Sequence, residues 1–351
     1  MTAAKKKNSR RKQARFRSSR RKRIRNTVLL LFLLVVLGGT GIGAIYVLRN
    51  GTVFDKLEDA YVASREFSGG ITDLDSLRAD GFAKNLCVVV SDVPMDGVSL
   101  GENQKGLLLD LDDRKVLYSK QALQKVYPAS ITKIMTAMLA LKYGNMDDVV
   151  TITQENLNLE EGSQVCGFWA GDQGTMDQLL HCLLVYSGND AAAAIAEHVG
   201  GSTDGFVEMM NSYARELGCT GTHFTNPHGL QDENHYTTPY DIYLMLKEAL
   251  NYPEFTQITQ SGSYTVEYTH ADGSSASTTL LATDHYLTGE ATPPKNVTIL
   301  GGKTGTTDNA GNCLALLSQN AYGKPYISIV MGASTKDELY EQMSSLLQNI
   351  N

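Results

Sequence analysis

The feature that most restricts this chain is an uncharged run, Thr27 to Leu48, with a crowd of basic residues immediately before it. As a helix its 22 residues would span roughly 33 Å at about 1.5 Å per residue, enough to cross a bilayer. Thirteen lysines and arginines fall between Lys5 and Arg25, and the first carboxylate is Asp55. Positive residues stay on the cytoplasmic side of a span, so the reading is a basic cytoplasmic tail over 1–26 and a transmembrane helix over 27–48. A signal peptide cleaved among the small residues Gly38 to Ala44 is the second reading; the apolar stretch Ile45 to Leu48 beyond that point favours a retained anchor. The tail carries one aromatic residue, Phe16, and a span comes directly after it. It therefore reads as a solvated topogenic segment near anionic lipid heads, and nucleic acid is not expected as a partner.

The net charge of -7 conceals this asymmetry, because past the tail 18 basic residues face 38 acidic ones. An apolar content of 42% excludes a wholly disordered chain. Residues 49–84, with a break at Ser68-Gly69-Gly70, read as a stalk, and 85–351 as the main domain. That length is near the size at which one core stops growing and a second lobe appears. The five cysteines form no C-x-x-C pair and the seven histidines no H-E-x-x-H, so neither a metal nor another cofactor is called for. An odd cysteine count outside the cell leaves at least one free thiol, and Cys182 and Cys313 read as small buried hydrophobes.

Short apolar runs at Leu86 to Ser91, Gly106 to Asp110 and Val116 to Ser119 predict strands, with turn chemistry at Asp112-Asp113. Ile131, Ile134, Met135, Met138 and Leu139 recur at helical spacing and predict a helix with one buried face. Helical stretches at Met176 to Tyr186, Ala191 to Val199, Gly205 to Leu217 and Pro239 to Leu250 make a mostly helical middle. Strands return at Ser263 to Tyr268, Val297 to Gly301, Asn312 to Leu317 and Tyr326 to Gly332. A last helix carries Leu339, Met343, Leu346, Leu347 and Ile350 on one stripe. Strands early and late with helices between them define an α+β arrangement whose late strands form a meander.

Three short motifs carry chemistry. Ser130 and Lys133, at i and i+3 in the first turn of the apolar helix, emerge on one face; a lysine of lowered pKa can activate a serine hydroxyl. The same S-x-x-K spacing recurs at Ser9 with Lys12 and Ser19 with Lys22 in the basic tail, so alone it says little. Ser187-Gly188-Asn189 interrupts two apolar helical stretches and presents two polar side chains; its plain alternative is a helix cap, and S-x-N recurs at Ser318-Gln319-Asn320. Lys303-Thr304-Gly305-Thr306 ends the strand Val297 to Gly301 and occurs once. A cation with hydroxyls there can hold an anionic group while glycine admits a ligand backbone, against the plain reading of a Gly-rich turn.

Taken in this order, S-x-x-K, S-x-N and K-T-G resemble the active-site set of serine penicillin-binding proteins and β-lactamases. The context Pro128-Ala129-Ser130, Glu161-Gly162-Ser163, Gly171-Asp172-Gln173, Ser187 to Ala192, Asn226 to Leu230 and Gly302 to Thr307 is similar to the low-molecular-mass D-alanyl-D-alanine carboxypeptidases, from about residue 84 onward. The resemblance implies a penicillin-binding/β-lactamase-like α/β sandwich, with an antiparallel sheet, a helical lobe and a cleft between them. It makes Ser130 the nucleophile, Lys133 its base, Ser187 a proton relay and Asn189 a partner of the substrate peptide. Lys303 and Thr304 would hold the terminal carboxylate of D-alanyl-D-alanine, with Gly305 leaving room for the ligand, and the N–H groups of Ser130 and Thr306 the oxyanion. The implied partners are a peptidoglycan stem peptide and, as covalent inhibitors, β-lactams.

One departure stands out. Relatives often carry an arginine shortly after the Gly-Ala that ends the last strand; after Gly332-Ala333 this chain has Lys336 as its cation. A point charge lacks the fork of a guanidinium, so carboxylate binding leans on Lys303 and Thr304 or is weaker. There are two alternatives: a class A-like β-lactamase, which needs an E-x-x-L-N glutamate that is absent between Asn189 and Lys303, and a non-catalytic peptidoglycan-binding relative.

Overall fold

The computed structural model describes residues 85–350. The basic tail, the expected transmembrane helix at 27–48 and the stalk at 49–84 lie outside them. The chain divides into units Met1–Gly81 and Phe82–Asn351, and the second contains every candidate site residue.

This unit opens with the hairpin β1 (Lys105–Asp110) and β2 (Lys115–Lys120). A short 3₁₀ turn, Ala129–Thr132, runs into α1 (Lys133–Tyr143). Next come β3 (Val149–Thr151), β4 (Gln173–Thr175), α2 (Met176–His181), α3 (Asn189–Gly200), α4 (Thr203–Glu216), α5 (Pro239–Ala249) and α6 (Pro253–Thr259). After these stand the hairpin β5 (Ser263–Thr269) and β6 (Ser275–Leu281) and the one-turn α7 (His285–Thr288). The meander β7 (Thr298–Thr307), β8 (Gly311–Gln319) and β9 (Pro325–Ala333) leads into α8 (Lys336–Leu347).

The main sheet is antiparallel, in the order β2-β1-β9-β8-β7. Both of its faces are covered, which explains strands that are apolar at successive positions. Leu107 and Leu109 pack toward the helical lobe and Leu108 toward the other side, and all three are fully buried. Leu339, Met343, Leu346, Leu347 and Ile350 of the closing segment cover that second side, as their stripe predicts.

Four expectations are corrected. Residues 86–91 form no strand; Cys87 instead receives a hydrogen bond from the Tyr240 hydroxyl at 3.0 Å and donates its N–H to the Tyr243 hydroxyl at 2.9 Å, so its backbone is satisfied without a ladder. A second sheet, β3-β4-β5-β6, pairs the expected strand at Ser263 to Tyr268 with three strands that were not expected. Its members include three-residue strands and the serine- and threonine-rich β6, which carry little apolar signal. Helix α1 is buried on every side from Lys133 to Ala140, so it is the central helix of the lobe and not a one-faced one. Finally, Lys303 to Thr306 lie within β7, which continues to Thr307, instead of lying beyond a strand that ends at Gly301.

Candidate active site

Ser130 sits in the 3₁₀ turn just ahead of α1, with Ala129 held at a left-handed φ of 49°. Ser130 therefore precedes the α-helix proper, one turn earlier than the helical spacing implies, yet Lys133 still reaches it. Lys133 Nζ donates to Ser130 Oγ at 2.8 Å, to Asn189 Oδ1 at 2.6 Å and to the His228 carbonyl at 2.8 Å. The ammonium is fully buried, and burial first, then the nearby charge of Lys303, holds its pKa well below the usual lysine range. The three acceptors differ in one decisive respect. Asn189 Oδ1 and the His228 carbonyl only accept, so when Lys133 gives up a proton the Ser130 hydroxyl is the group that turns and donates to the freed lone pair. That is the arrangement a general base requires.

Ser187 and Asn189 arrive from a backbone irregularity. Helix α2 passes into a π turn, Cys182–Tyr186, and Ser187 ends it in the left-handed region at φ 70°. A π turn inserts a residue and re-aims the chain beyond it; here it brings Ser187 to the cleft and starts α3 at Asn189. The break is thus more than a cap. Asn189 N–H donates to the Gln164 carbonyl at 2.8 Å, and buried Asp190 accepts from the amides of Cys166, Gly167 and Ala191. These bonds tie the loop over Gly162 to Gln164 against the motif.

The third side is β7. It is an edge strand of the main sheet, so one row of its backbone groups is available to a ligand strand. Lys303 is buried, donates to the Thr304 carbonyl at 3.0 Å and has its pKa pushed down to about 7 by burial, against the opposing pull of Asp284. Thr304 Oγ1 shares a 2.5 Å hydrogen bond with Thr283 Oγ1, and Thr306 Oγ1 donates to Asn312 Oδ1 at 3.1 Å. Gly305 has no room for a side chain, because a Cβ there would lie 2.9 Å from the Pro128 carbonyl oxygen and 3.0 Å from Ser130 N. The strand thus passes directly beside the nucleophile's turn, which brings the Ser130 N–H to the stretch that carries the Thr306 N–H.

One cleft of about 320 Å³ collects Ser130, Ser187, Asn189 and Thr304 to Thr306. Lys133 and Lys303 lie buried behind its wall. Lys336, the first residue of α8, lines the same cleft as Thr304.

The structure adds residues to which the sequence assigned no role. Asn226 to Leu230 form a turn in which Asn226 Oδ1 accepts the Gly229 N–H at 2.7 Å and Asn226 Nδ2 donates to the Leu230 carbonyl at 3.0 Å. That turn presents the His228 carbonyl to Lys133. The His228 imidazole is kept neutral, with its pKa pushed down to about 3 by burial and by Lys133. Ser163 Oγ, buried and without a hydrogen-bond partner, belongs to a residue of the same cleft. The stretches Asn226 to Leu230 and Glu161 to Ser163 were the available signals; their roles depend on contacts too distant in sequence to be inferred. Gly229 has φ 91°, and a Cβ there would fall 1.9 Å from the Ala129 carbonyl oxygen. Gly229→Ala is therefore expected to lower Tm and to displace Ser130: the left-handed backbone alone costs about 1 kcal/mol, and the clash adds to it. Thermal melting and active-site labelling of the variant check this.

A serine hydroxyl held by a buried lysine, faced by a second serine and an asparagine and flanked by a K-T-G edge strand, is the site arrangement that the resemblance to the penicillin-recognising class implies. Residues 101–335 match the family described as D-alanyl-D-alanine carboxypeptidase, peptidase S11, and the chain belongs to that family. It is 36% identical over 251 residues to the D-alanyl-D-alanine carboxypeptidase DacF of Bacillus subtilis, covering 70% of this chain and 61% of that one. It is 33% identical over 253 residues to DacC of Escherichia coli, covering 69% and 59%. The chain thus spans about three fifths of the length of these relatives. Among solved structures, the Streptomyces K15 DD-transpeptidase superposes with a TM-score of 0.65 at 27% identity, over 74% of this chain and 98% of that one. A D-alanyl-D-alanine carboxypeptidase of Mycobacterium tuberculosis superposes with a TM-score of 0.63 at 28% identity, over 73% and 92%. The penicillin-binding-type α/β architecture expected from the motifs is the one observed.

Proposed function

We propose that this protein is a serine-type D-alanyl-D-alanine carboxypeptidase that removes the terminal D-alanine from peptidoglycan stem peptides. The observation that carries the reading is the Lys133 Nζ to Ser130 Oγ hydrogen bond at 2.8 Å, made by a lysine whose burial favours the free amine. Lys133 takes the hydroxyl proton as Ser130 Oγ bonds to the penultimate carbonyl carbon. The oxyanion rests on the N–H groups of Ser130 and Thr306. Collapse breaks the C–N bond, and the leaving amine of D-alanine takes a proton relayed through Ser187. Water then adds to the ester under the same base, releasing the shortened peptide and the Ser130 hydroxyl. Asn189 bonds the substrate's peptide group, Lys303 and Thr304 hold its terminal carboxylate, and Lys336 supplies a further positive charge at that end. A β-lactam acylates the same serine and leaves slowly.

The basic tail, the uncharged run at 27–48 and the acidic excess beyond them support a single membrane anchor with the tail inside and the catalytic domain facing the wall; a cleaved signal peptide would export the same domain. The test is to incubate the purified outer domain with a peptide ending in D-alanyl-D-alanine and, separately, with fluorescent penicillin. Release of D-alanine with stable labelling is expected. A folded protein that does neither would favour a peptide-binding relative, and rapid hydrolysis of penicillin would favour a β-lactamase.

After burial, the charge of Lys303 contributes most to lowering the pKa of Lys133 and so bears on the pH range of this chemistry. That charge disfavours the protonated form of Lys133, so Lys303→Gln removes the repulsion and raises the pKa of Lys133. More base is then needed to free the amine. The acid limb of the pH profile for penicillin acylation is expected to move to higher pH in the variant; an unmoved limb would show that another group controls it.

A further inference from the structure

We infer that Cys166 and Cys182 close a disulfide that joins the loop over the cleft to the π turn presenting Ser187, and that this bond braces the wall of the active site. Its chemistry is independent of the carboxypeptidase reading. Its formation in the cell rests on the exported placement proposed above, because disulfides persist in oxidising compartments.

The five thiols, all buried and all in the reduced form, fall into two sets. Cys87 Sγ donates to the Asp110 carbonyl at 3.3 Å, Cys219 Sγ to the Asp241 carbonyl at 3.6 Å and Cys313 Sγ to the Ala310 carbonyl at 3.5 Å. Each of these three sits alone with a backbone acceptor, as small buried thiols do. Cys166 and Cys182 meet each other instead, the Cys182 thiol being the hydrogen-bond partner that acts on the Cys166 thiol. Gly188 is the point at which the main chain brings them together. Its N–H donates to the Cys182 carbonyl at 3.1 Å, and Cys166 Sγ occupies the space in which a Cβ on Gly188 would stand. Two thiols already side by side need only side-chain rotation to approach the bonding distance of about 2.05 Å.

The positions of the two cysteines give the bond its consequence. Gln164, two residues before Cys166, lines the cleft and accepts the Asn189 N–H, while Ser187 ends the π turn that begins at Cys182. The fifteen residues between the cysteines carry β4 and α2. A covalent link therefore fastens both flanks of the S-x-N motif where hydrogen bonds otherwise hold them. In forming it, both Sγ–H bonds break and one S–S bond forms; the two hydrogens and two electrons pass to an oxidant of the disulfide class, whose own S–S bond becomes two thiols. The neighbouring Cys182 thiol and then burial hold the Cys166 thiol well above its ordinary pKa, so thiolate is scarce in the folded protein and the bond forms as the chain folds.

The test is to unfold the full chain and refold it in detergent, once with oxidised and reduced glutathione and once with dithiothreitol. Remaining thiols are alkylated under denaturing conditions and the proteolytic peptides are weighed. The Cys166 and Cys182 peptides are expected to be joined after oxidative refolding, with Cys87, Cys219 and Cys313 alkylated. The oxidised form is expected to melt about 5–10 °C above the reduced one, and fluorescent penicillin to label Ser130 up to a correspondingly higher temperature. Cys166→Ser with Cys182→Ser should remove both differences. Five alkylated cysteines after oxidative refolding, or another pairing, overturns the bond. A bond that leaves the temperature limit of labelling unchanged overturns its bracing of the site. A mapped disulfide with raised melting but no labelling in either form supports the crosslink while removing the penicillin-binding reading.

Discussion

Ser130→Ala is expected to release no D-alanine above background and to take no covalent penicillin label, while melting at nearly the wild-type temperature. The hydroxyl is the atom that bonds to the substrate, so no other group in the cleft replaces it. Its removal costs the fold little, because Ser130 Oγ is one of three acceptors of Lys133 Nζ, and Asn189 Oδ1 and the His228 carbonyl keep their bonds. The variant also separates binding from chemistry. If Lys303, Thr304 and Lys336 hold the carboxylate, the substrate still binds and the affinity becomes measurable without turnover. Labelling of the variant by penicillin, or retained D-alanine release, would move the nucleophile to another residue; Ser187, in the same cleft, is the one to test next.

Lys133→Ala is expected to reduce the rate of acylation by about 10²- to 10⁴-fold, the usual worth of a positioned general base. Unlike the serine change, this one should also destabilise the protein. Asn189 Oδ1 and the His228 carbonyl lose the donor they share, and an orphaned buried acceptor costs about 1–3 kcal/mol. A lowered Tm together with slow acylation is the expected pair of results. Lys133→Arg discriminates between the roles: a guanidinium restores positive charge and hydrogen bonds but does not deprotonate in this range, so it can recover stability without recovering rate. Recovery of both would mean that Lys133 acts through its charge and not as a base. Penicillin acylation followed by fluorescence, with thermal melting in parallel, reads both quantities.

How much of this was legible beforehand differs from residue to residue. Ser130 and Lys133 stand out because i and i+3 positions meet across one turn whatever surrounds them, even though that turn proved to be 3₁₀ at its start. The closing helix was legible because its stripe needs only one apolar face to cover. The second sheet was not, because β4 and β5 are joined by the single Gln173–Thr269 register pair across nearly a hundred residues, and nothing local in β6 marks it as a strand. Asp190, buried under three amide donors, resembles any acidic residue opening a helix until the fold brings the chain at Cys166 to it.

What the sequence determined by itself is the inventory: a nucleophile with a lysine one turn away, two polar residues at a break between helices, and a cation and hydroxyls beside a glycine. These derive from local geometry and from which residue types can bear the chemistry. Tertiary structure alone decided that the three groups face one another and that both lysines lose contact with water. It also placed Lys336 in the wall of the cleft with Thr304. The physical reason is desolvation. The pKa of a lysine is set by the water and charge around it, and at Lys133 these are supplied by α1, by the turn at His228 and by β7, segments separated by up to 170 residues along the chain.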